Sequence, residues 1–202
     1  MNRQAIAGII LSAGASRRMG TPKALLRLHG ATFLESLLAA FRPTCQPLIV
    51  ALGYDAERIR EAISNAVPVQ FVVNPDPARG MFSSLQCALR ALPSYTEAAI
   101  FTPVDYPEIR PATVASLAQA FDQHQCPVTL PRHAGEHGHP VCISRAVIDE
   151  LLALPATAQA RDVIRAYRSG TRFVDVDDPG ILSDIDIPED YRRLAAAAAV
   201  SK

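Results

Sequence analysis

Short apolar runs alternate with amphipathic stretches through roughly the first 120 residues, and this alternation restricts the chain to one class of fold. The runs have the length of strands, and the stretches between them carry apolar residues at helical spacing. Strands that alternate with helices form a parallel sheet with helices on both faces. We therefore predict an α/β fold with a doubly wound, mainly parallel sheet, whose first strands lie at residues 5–11, 48–52, 67–73 and 98–101.

Length and composition predict one domain over residues 1–202. The chain has 202 residues, of which 49% are apolar, and this suffices for one packed core. A helix start is marked by Thr32 with Glu35 three positions later, the pattern of a capping box.

The charge balance argues against nucleic acid and membranes as partners. Lys plus Arg and Asp plus Glu both number 20, so the chain carries no basic surplus. No run approaches the ~18 apolar residues of a membrane span, and we see no signal peptide. The four cysteines are scattered without a Cys-x-x-Cys pair, as is typical of free thiols. These features predict a cytoplasmic protein.

The first predicted strand leads into small residues and then into positive charge. Ser12, Ala13 and Gly14 let the backbone approach a ligand and let its N–H groups converge on an anion. Arg18 and Lys23 supply charge that persists at neutral pH. Open α/β sheets bind ligands at the carboxyl ends of their strands. We therefore predict a triphosphate cradle here, with an ordinary basic surface loop as the alternative.

This spacing matches neither of two common phosphate-binding motifs. A P-loop has four residues between its glycines and a Lys directly after the second. Here five residues separate Gly14 from Gly20, and Lys23 comes three positions later. The dinucleotide fingerprint needs glycines where this chain has Ser16 and Met19.

A second candidate nucleotide-binding segment follows the third predicted strand. Asn74 offers both a hydrogen-bond donor and an acceptor, and Gly80 permits close approach of a ligand. Ser83 and Ser84 offer hydroxyl groups beside the free N–H groups at the start of a helix. Because Ser and Asn also favour helix caps, the residues alone leave a purely structural role equally open.

Two carboxylates are candidate metal ligands. Asp105 follows the fourth predicted strand at the sheet edge that carries the cradle, where a carboxylate can hold Mg²⁺ against a triphosphate. Asp186 lies in an acidic segment that precedes a predicted helix. A turn residue is the alternative for Asp105, and a helix N-terminal charge is the alternative for Asp186.

Three histidines crowd into residues 133–139. Imidazoles bind transition metals, so His133, His137 and His139 could form a metal site. No Cys lies near enough to complete a usual zinc set, and the loop is flanked by glycines. We predict that His133 and His137 are dispensable.

The cradle resembles a longer signature. The pattern L-x-A-G-x-S-x-R-M-G-x-x-K over residues 11–23 is similar to that of the MobA-like nucleotidyltransferases, and most like that of the molybdenum cofactor cytidylyltransferases. The resemblance covers nearly the whole chain and implies a Rossmann-like fold of the nucleotide-diphospho-sugar transferase type. It also implies an Mg²⁺-dependent enzyme that binds a nucleoside triphosphate. The implied cradle residues are Leu11, Ser12, Ala13, Gly14, Arg18 and Lys23.

The resemblance assigns roles to the other candidates, although Ile187 stands where relatives usually have Thr. The matching positions are Asn74, Gly80, Ser83 and Ser84 for the base and ribose, Asp105 and Asp186 for Mg²⁺, and Gly138, His139 and Pro140 for the acceptor side.

The implied reaction is the transfer of CMP from CTP to a phosphate of molybdopterin, with release of pyrophosphate. The Ala13-Gly14 pair resembles the cytidylyl-type cradle, whereas guanylyl-type relatives tend to have Gly-Gly there. Relatives have a Gly-rich loop where this chain has residues 156–161, and only Arg161 matches it. A guanylyltransferase, another phosphorylated acceptor such as a sugar or polyol phosphate, and a non-catalytic nucleotide-binding accessory protein are therefore alternatives. A molybdenum enzyme that receives the product is a further expected partner.

Overall fold

A computed structural model describes residues 5–63 and 68–200 of the chain. Within them, an eight-stranded mixed sheet is flanked by helices, which confirms the predicted fold class. The strands are β1 (Ile6–Ser12), β2 (Arg27–Leu28), β3 (Ala31–Thr32), β4 (Leu48–Leu52), β5 (Gln70–Val73), β6 (Ala98–Pro103), β7 (Val128–His133), β8 (Glu136–His137), β9 (Val141–Ser144) and β10 (Thr171–Asp175). The helices are α1 (Phe33–Phe41), α2 (Ala56–Ile63), α3 (Met81–Arg90), α4 (Pro111–His124), α5 (Arg145–Ala153), α6 (Ala160–Ala166) and α7 (Pro188–Val200).

The strand order is β10-β7-β9-β6-β1-β4-β5, with β8 paired to β7 and a separate β2–β3 hairpin. Strands β1, β4, β5, β6, β7 and β10 all run in one direction, so their carboxyl ends share one edge. Strand β9 runs the other way between β6 and β7. A parallel neighbour needs a crossover of a dozen or more residues, and the loop between β7 and β9 is shorter than that.

Two apolar layers hold the helices to the sheet. In β1 the side chain of Ile10 belongs to the layer that packs α1 and α4, whereas Ile9 and Leu11 belong to the layer that packs α3, α5 and α6. Both layers are completely covered at the centre of the sheet, so every residue of β1 is buried. This explains why β1 reads as a continuous apolar run rather than an alternating one.

Several predicted boundaries are confirmed and others shift. The capping box of α1 is present, because Thr32 and Glu35 exchange side-chain to backbone hydrogen bonds of 2.7 and 3.2 Å. Helix α3 begins at Met81, so Ser83 and Ser84 lie in its first turn. The predicted strand over residues 67–73 is observed as β5, and residue 67 lies outside the described residues. Among the helices in residues 5–63 and 68–200, none is long and apolar enough to cross a membrane.

Candidate active site

A cavity of about 460 Å³ lies at the shared carboxyl edge, where β1 and β6 end; we call it the main cavity. It gathers residues that are far apart in sequence but that all follow strands or begin helices at this edge. The predicted site residues that line it are Leu11, Ser12, Ala13, Gly14, Arg18, Lys23, Gly80, Ser84, Asp105 and Asp186.

The cradle is a compact loop that returns Lys23 to the end of β1. The Ser16 carbonyl accepts hydrogen bonds from the N–H groups of Met19 and Gly20, at 2.9 and 3.2 Å. The Ser16 hydroxyl accepts a third bond from the Lys23 N–H group, at 3.0 Å. The loop has positive φ angles of 46° at Ser16 and 65° at Gly20. Position 20 suits glycine, because glycine adopts such an angle without strain.

Lys23 bridges the two predicted metal ligands. Its ammonium nitrogen Nζ lies 3.0 Å from Asp105 Oδ2 and 2.7 Å from Asp186 Oδ1. Arg18 approaches Asp186 from the solvent side, with 3.6 Å between the guanidinium nitrogen and Oδ2. Partial burial alone would lower the pKa of Lys23, but the two carboxylates outweigh it and raise that pKa. The Lys23 hydrogen bond in turn lowers the pKa of Asp186.

The donor set fits a divalent cation held together with phosphate oxygens. The Asp105 oxygen Oδ1 is buried and has no hydrogen-bond partner, while Oδ2 contacts a positive charge. Within the described residues, no group of three or more His, Cys, Asp or Glu side chains converges on one point. Mg²⁺ is commonly bound by one or two carboxylates plus substrate phosphates and water. Asp105 and Asp186 match that arrangement, and the Lys23 ammonium stands between them.

The segment that carries Asp186 is fixed by a buried carboxylate that the sequence analysis missed. Asp178 accepts hydrogen bonds from the N–H group of Arg110, at 2.9 Å, and from the hydroxyl of Thr113, at 2.5 Å. Further along, the Ile185 N–H group donates to the Asp105 carbonyl at 2.9 Å. These contacts tie the segment to α4 and to the end of β6, so Asp186 faces Asp105.

Asn74 and Ser83 lie behind the wall of the main cavity rather than on it. The buried Asn74 amide donates to the hydroxyls of Ser83 and Ser84, at 2.8 and 2.9 Å, and its oxygen accepts from the Asp76 N–H group at 3.0 Å. Asn74 therefore fixes the loop and the first turn of α3, and only Ser84 and Gly80 of this group reach the cavity.

The predicted acceptor segment lies beside the main cavity but does not line it. The His139 N–H group donates to the Ile181 carbonyl at 3.0 Å, and its ring packs 4.7 Å from the Tyr106 ring. A Cβ atom on Gly138 would lie 2.0 Å from the Ile181 carbonyl oxygen, so only glycine fits there. Burial lowers the pKa of His139 to about 4, and its Nδ1 atom has no partner.

The three clustered histidines contact different neighbours. His133 Nδ1 lies 3.0 Å from the Val176 carbonyl, and the His137 ring packs 5.7 Å from the Phe173 ring. His139 instead packs on Tyr106. Among the described residues these rings therefore do not form one ligand set.

The low pKa of His139 predicts a pH effect on stability. The unfolded chain takes up a proton below pH 6.5 and the folded one only near pH 4, so stability falls as the pH drops between these values. His139→Phe should remove this contribution, about 2 kcal/mol between pH 6.5 and 5. Urea unfolding at pH 7 and 5 measures it. Equal pH dependence in both proteins would show that His139 does not stay neutral in the folded state.

The main cavity also contains residues that the sequence analysis did not select. Tyr54, Pro77 and Met81 line it. A Cβ atom on Gly53 would lie 2.7 Å from the Ala13 carbonyl oxygen, which shows how closely the turn after β4 packs on the cradle. The sequence could have indicated Tyr54, because β4 is a parallel neighbour of β1 and the residues that follow β4 share the same edge.

The MobA-like NTP transferase domain matches residues 8–171, most of the chain. The chain belongs to the MobA-like NTP transferase family. The matched range contains the cradle, Asp105 and the segment from Gly138 to Pro140, and it ends before Asp186. Membership in the MobA-like NTP transferase family supports nucleotidyl transfer as the activity of the chain.

Relatives that match nearly the whole chain are named for different activities, and one of these names does not refer to the molybdenum cofactor. The chain is 28% identical to the molybdenum cofactor cytidylyltransferase of Escherichia coli, over 93% of this chain and 94% of that protein. It is 29% identical to the molybdenum cofactor guanylyltransferase of Cereibacter sphaeroides, over 92% and 93%. It is also 29% identical to the nicotine blue oxidoreductase of Paenarthrobacter nicotinovorans, over 94% and 96%.

Solved structures share this fold along nearly the whole chain. A homolog of Rv0371c from Mycobacterium sp. strain JC1 is 31% identical and superposes with a TM-score of 0.84, over 99% of this chain and 100% of that chain. Rv0371c from Mycobacterium tuberculosis, in a complex with manganese, is 29% identical with a TM-score of 0.78, over 96% and 99%.

Proposed function

We propose that the chain transfers CMP from CTP to a phosphate group of a small acceptor, with molybdopterin as the first candidate. The observation that carries the proposal is the convergence of Lys23, Asp105 and Asp186 at the end of β1. Two carboxylates and two cations beside a loop of small residues suit a metal-bound triphosphate. The product would pass to a molybdenum enzyme.

In this reaction an oxygen of the acceptor phosphate attacks the α-phosphorus of the nucleotide. The bond between the α-phosphorus and its bridging oxygen breaks, and pyrophosphate leaves with the electron pair. Arg18 and Lys23 would hold the β- and γ-phosphates, and N–H groups of the cradle would bind phosphate oxygens. The contribution of the protein is positioning and charge neutralisation, so no nucleophilic side chain is required.

Asp105 and Asp186 would hold the metal ion. A divalent ion in this place would neutralise negative charge on the phosphates. A mycobacterial relative has been solved in complex with manganese, which supports the use of a divalent ion by this chain, and we propose Mg²⁺ as the physiological one. To reach the triphosphate, Lys23 would have to leave the carboxylates that it bridges in this structure.

The choice of CTP rests on the cradle and on one relative. The Ala13-Gly14 pair resembles the cytidylyl-type cradle, whereas guanylyl-type relatives tend to have Gly-Gly there. The cytidylyltransferase of Escherichia coli is similar along its whole length, but so is a guanylyltransferase. GTP is therefore the alternative nucleotide, and a sugar or polyol phosphate is the alternative acceptor.

Thermal shift with Mg²⁺ tests the nucleotide. A ligand that binds only the folded protein raises its melting temperature, so CTP should raise it more than GTP or ATP at equal concentration. With ~100 Kd of CTP the stabilisation is about 2.7 kcal/mol, which corresponds to several degrees for a domain of this size. A clearly larger shift with GTP or ATP would overturn the cytidylyl assignment.

The similarity to the nicotine blue oxidoreductase favours a second candidate, a reductase on the same scaffold. Bridged carboxylates suit a metal-bound triphosphate better than a hydride donor, so we rank transfer first. A non-catalytic accessory protein is the third candidate. Pyrophosphate release separates transfer from both, because neither a reductase nor a binding protein breaks the α–β phosphate bond.

A further inference from the structure

A second cavity, of about 360 Å³, lies between β7, β8 and β10 on one side and α6 on the other. Among the described residues that line the two cavities, none is shared between them. The apolar lining of the second cavity is formed by Leu130, Ile164 and Phe173. The Phe173 ring also contacts His137, at 5.7 Å between ring centroids. This lining suits a flat, partly apolar group.

The rim of the second cavity is positively charged, although the whole chain is neutral. Three arginines line it, and Arg132 is already bonded to Asp175 at 2.7 and 2.9 Å. Within the described part of the chain, the guanidinium groups of Arg165 and Arg168 form no ion pair and no hydrogen bond. Free guanidinium groups above an apolar floor recognise a flat ligand that carries negative charge or hydrogen-bond acceptors.

The register of the sheet relates the second cavity to the main one. Thr129, Cys142 and Ile100 form one row across β7, β9 and β6. Three residues further along the parallel strands β7 and β6, Arg132 is level with Pro103, which lines the main cavity. Strands lie ~4.8 Å apart, so the facing rims of the two cavities, at Arg132 and Pro103, are separated by about two strand spacings, roughly 10 Å.

The main cavity lies at the edge of the sheet and contacts both core layers, and the second cavity contacts one of these two layers. Leu11 lines the main cavity, Leu130 lines the second, and both belong to the core layer that packs α3, α5 and α6. Between them in strand order is β9, and the segment from Gly138 to Pro140 directly precedes it at the same edge. The predicted acceptor segment therefore lies between the main cavity and the second cavity.

We propose that the second cavity receives the ring-bearing end of the phosphorylated acceptor, whose phosphate end reaches the main cavity past Gly138 and His139. This inference rests on the proposed function. It assigns the acceptor to a chemical class, an elongated phosphate ester with a flat heterocycle at least roughly 10 Å from its phosphate. Arg165 and Arg168 stack on or donate hydrogen bonds to that heterocycle, and the pterin of molybdopterin belongs to this class. A compact polyol phosphate does not reach both cavities.

The test is equilibrium binding of molybdopterin to the full chain, measured without turnover. Arg165→Ala and Arg168→Ala should each raise its Kd by about 10-fold, the loss expected for one charge-assisted hydrogen bond. Arg172→Ala is the matched control, since this residue lies in β10 between two lining residues but does not line the cavity. CTP binding to the same samples should be unchanged in all three variants, as the nucleotide lies in the main cavity.

Unchanged molybdopterin affinity in both variants would overturn the inference, and so would wild-type protein that does not bind molybdopterin. Loss of CTP affinity equal to the loss of molybdopterin affinity would place the arginines at the nucleotide instead. Failure of the proposed function gives a different result, namely no pyrophosphate from CTP. Circular dichroism and melting temperature of each variant show that α6 is folded.

Discussion

Asp105→Asn should fold normally and lose about 10²-fold or more in the rate of nucleotidyl transfer, the range found when a preorganised charge-stabilising group is removed. Asp105 lies at the end of β6, where one of its oxygens contacts Lys23 and the other is buried without a partner. Asn keeps the shape of the side chain but removes the charge that would hold a divalent ion. Steady-state rates at low Mg²⁺, together with melting temperatures, measure the effect.

Two comparisons separate metal binding from a structural role of Asp105. Raising Mg²⁺ should partly restore the rate of Asp105→Asn if the lost property is metal affinity. Asp149→Asn serves as the control, because Asp149 is a surface residue of α5 that pairs with Arg145. Near-full activity of Asp105→Asn at low Mg²⁺ would show that Asp105 only turns the chain.

Asp186→Asn should lose less of the transfer rate than Asp105→Asn, because the Asp186 side chain is half-exposed, at 51%.

Lys23→Met should weaken triphosphate binding by about 10- to 100-fold while changing the binding of the nucleoside monophosphate little. The expected cause is the loss of a cation at the β- and γ-phosphates. The structure also predicts that the same variant binds a metal ion more tightly. Without the ammonium group, Asp105 and Asp186 face each other with no positive charge between them, so Mn²⁺ should bind more tightly in the absence of nucleotide. Calorimetry with each nucleotide and electron paramagnetic resonance with Mn²⁺ measure the two effects.

Arg60→Met is the control for Lys23→Met, because Arg60 is a partly exposed cation on α2 that pairs with Glu57 and does not line the main cavity. It should leave all three affinities as they are in the wild type. Equal losses for triphosphate and monophosphate would show that Lys23 does not contact the β- or γ-phosphate. Weaker Mn²⁺ binding in Lys23→Met would show that Lys23 supports the carboxylates rather than competing with the ion.

The central parallel strands β1, β4 and β6 were predictable because each is a mostly apolar run buried on both faces. The direction of strand β9 was not predictable, since the apolar pattern of its four residues does not indicate direction. Only the short loop before β9 sets its orientation. The two-residue strands of the β2–β3 hairpin and β8 are too short to show a pattern. The start of α3 was misplaced because Ser83 and Ser84 resemble helix caps. The helix begins at Met81, and the buried Asn74 amide donates hydrogen bonds to both serine hydroxyls.

The part of the candidate site that lies at the carboxyl ends of the strands was predictable from the sequence. Lys23, Asp105 and Asp186 follow or precede elements that end at one edge, and this edge follows from the alternation of strands and helices. The bridging of both carboxylates by Lys23 was not predictable, since it depends on how Ser16 folds the cradle and how Asp178 ties down the last segment. Asp178 reads as one acidic residue among several, and only its burial reveals its role.

Pyrophosphate release by the wild-type protein with CTP and Mg²⁺, measured with and without molybdopterin, tests the central claim most directly. We expect release only when molybdopterin is present, in equal amount to the CMP incorporated into it. GTP and ATP should give much less. If the protein binds these nucleotides but none of them yields pyrophosphate with molybdopterin present, molybdopterin is not the acceptor. If sugar and polyol phosphates also give none, the protein is not a nucleotidyltransferase.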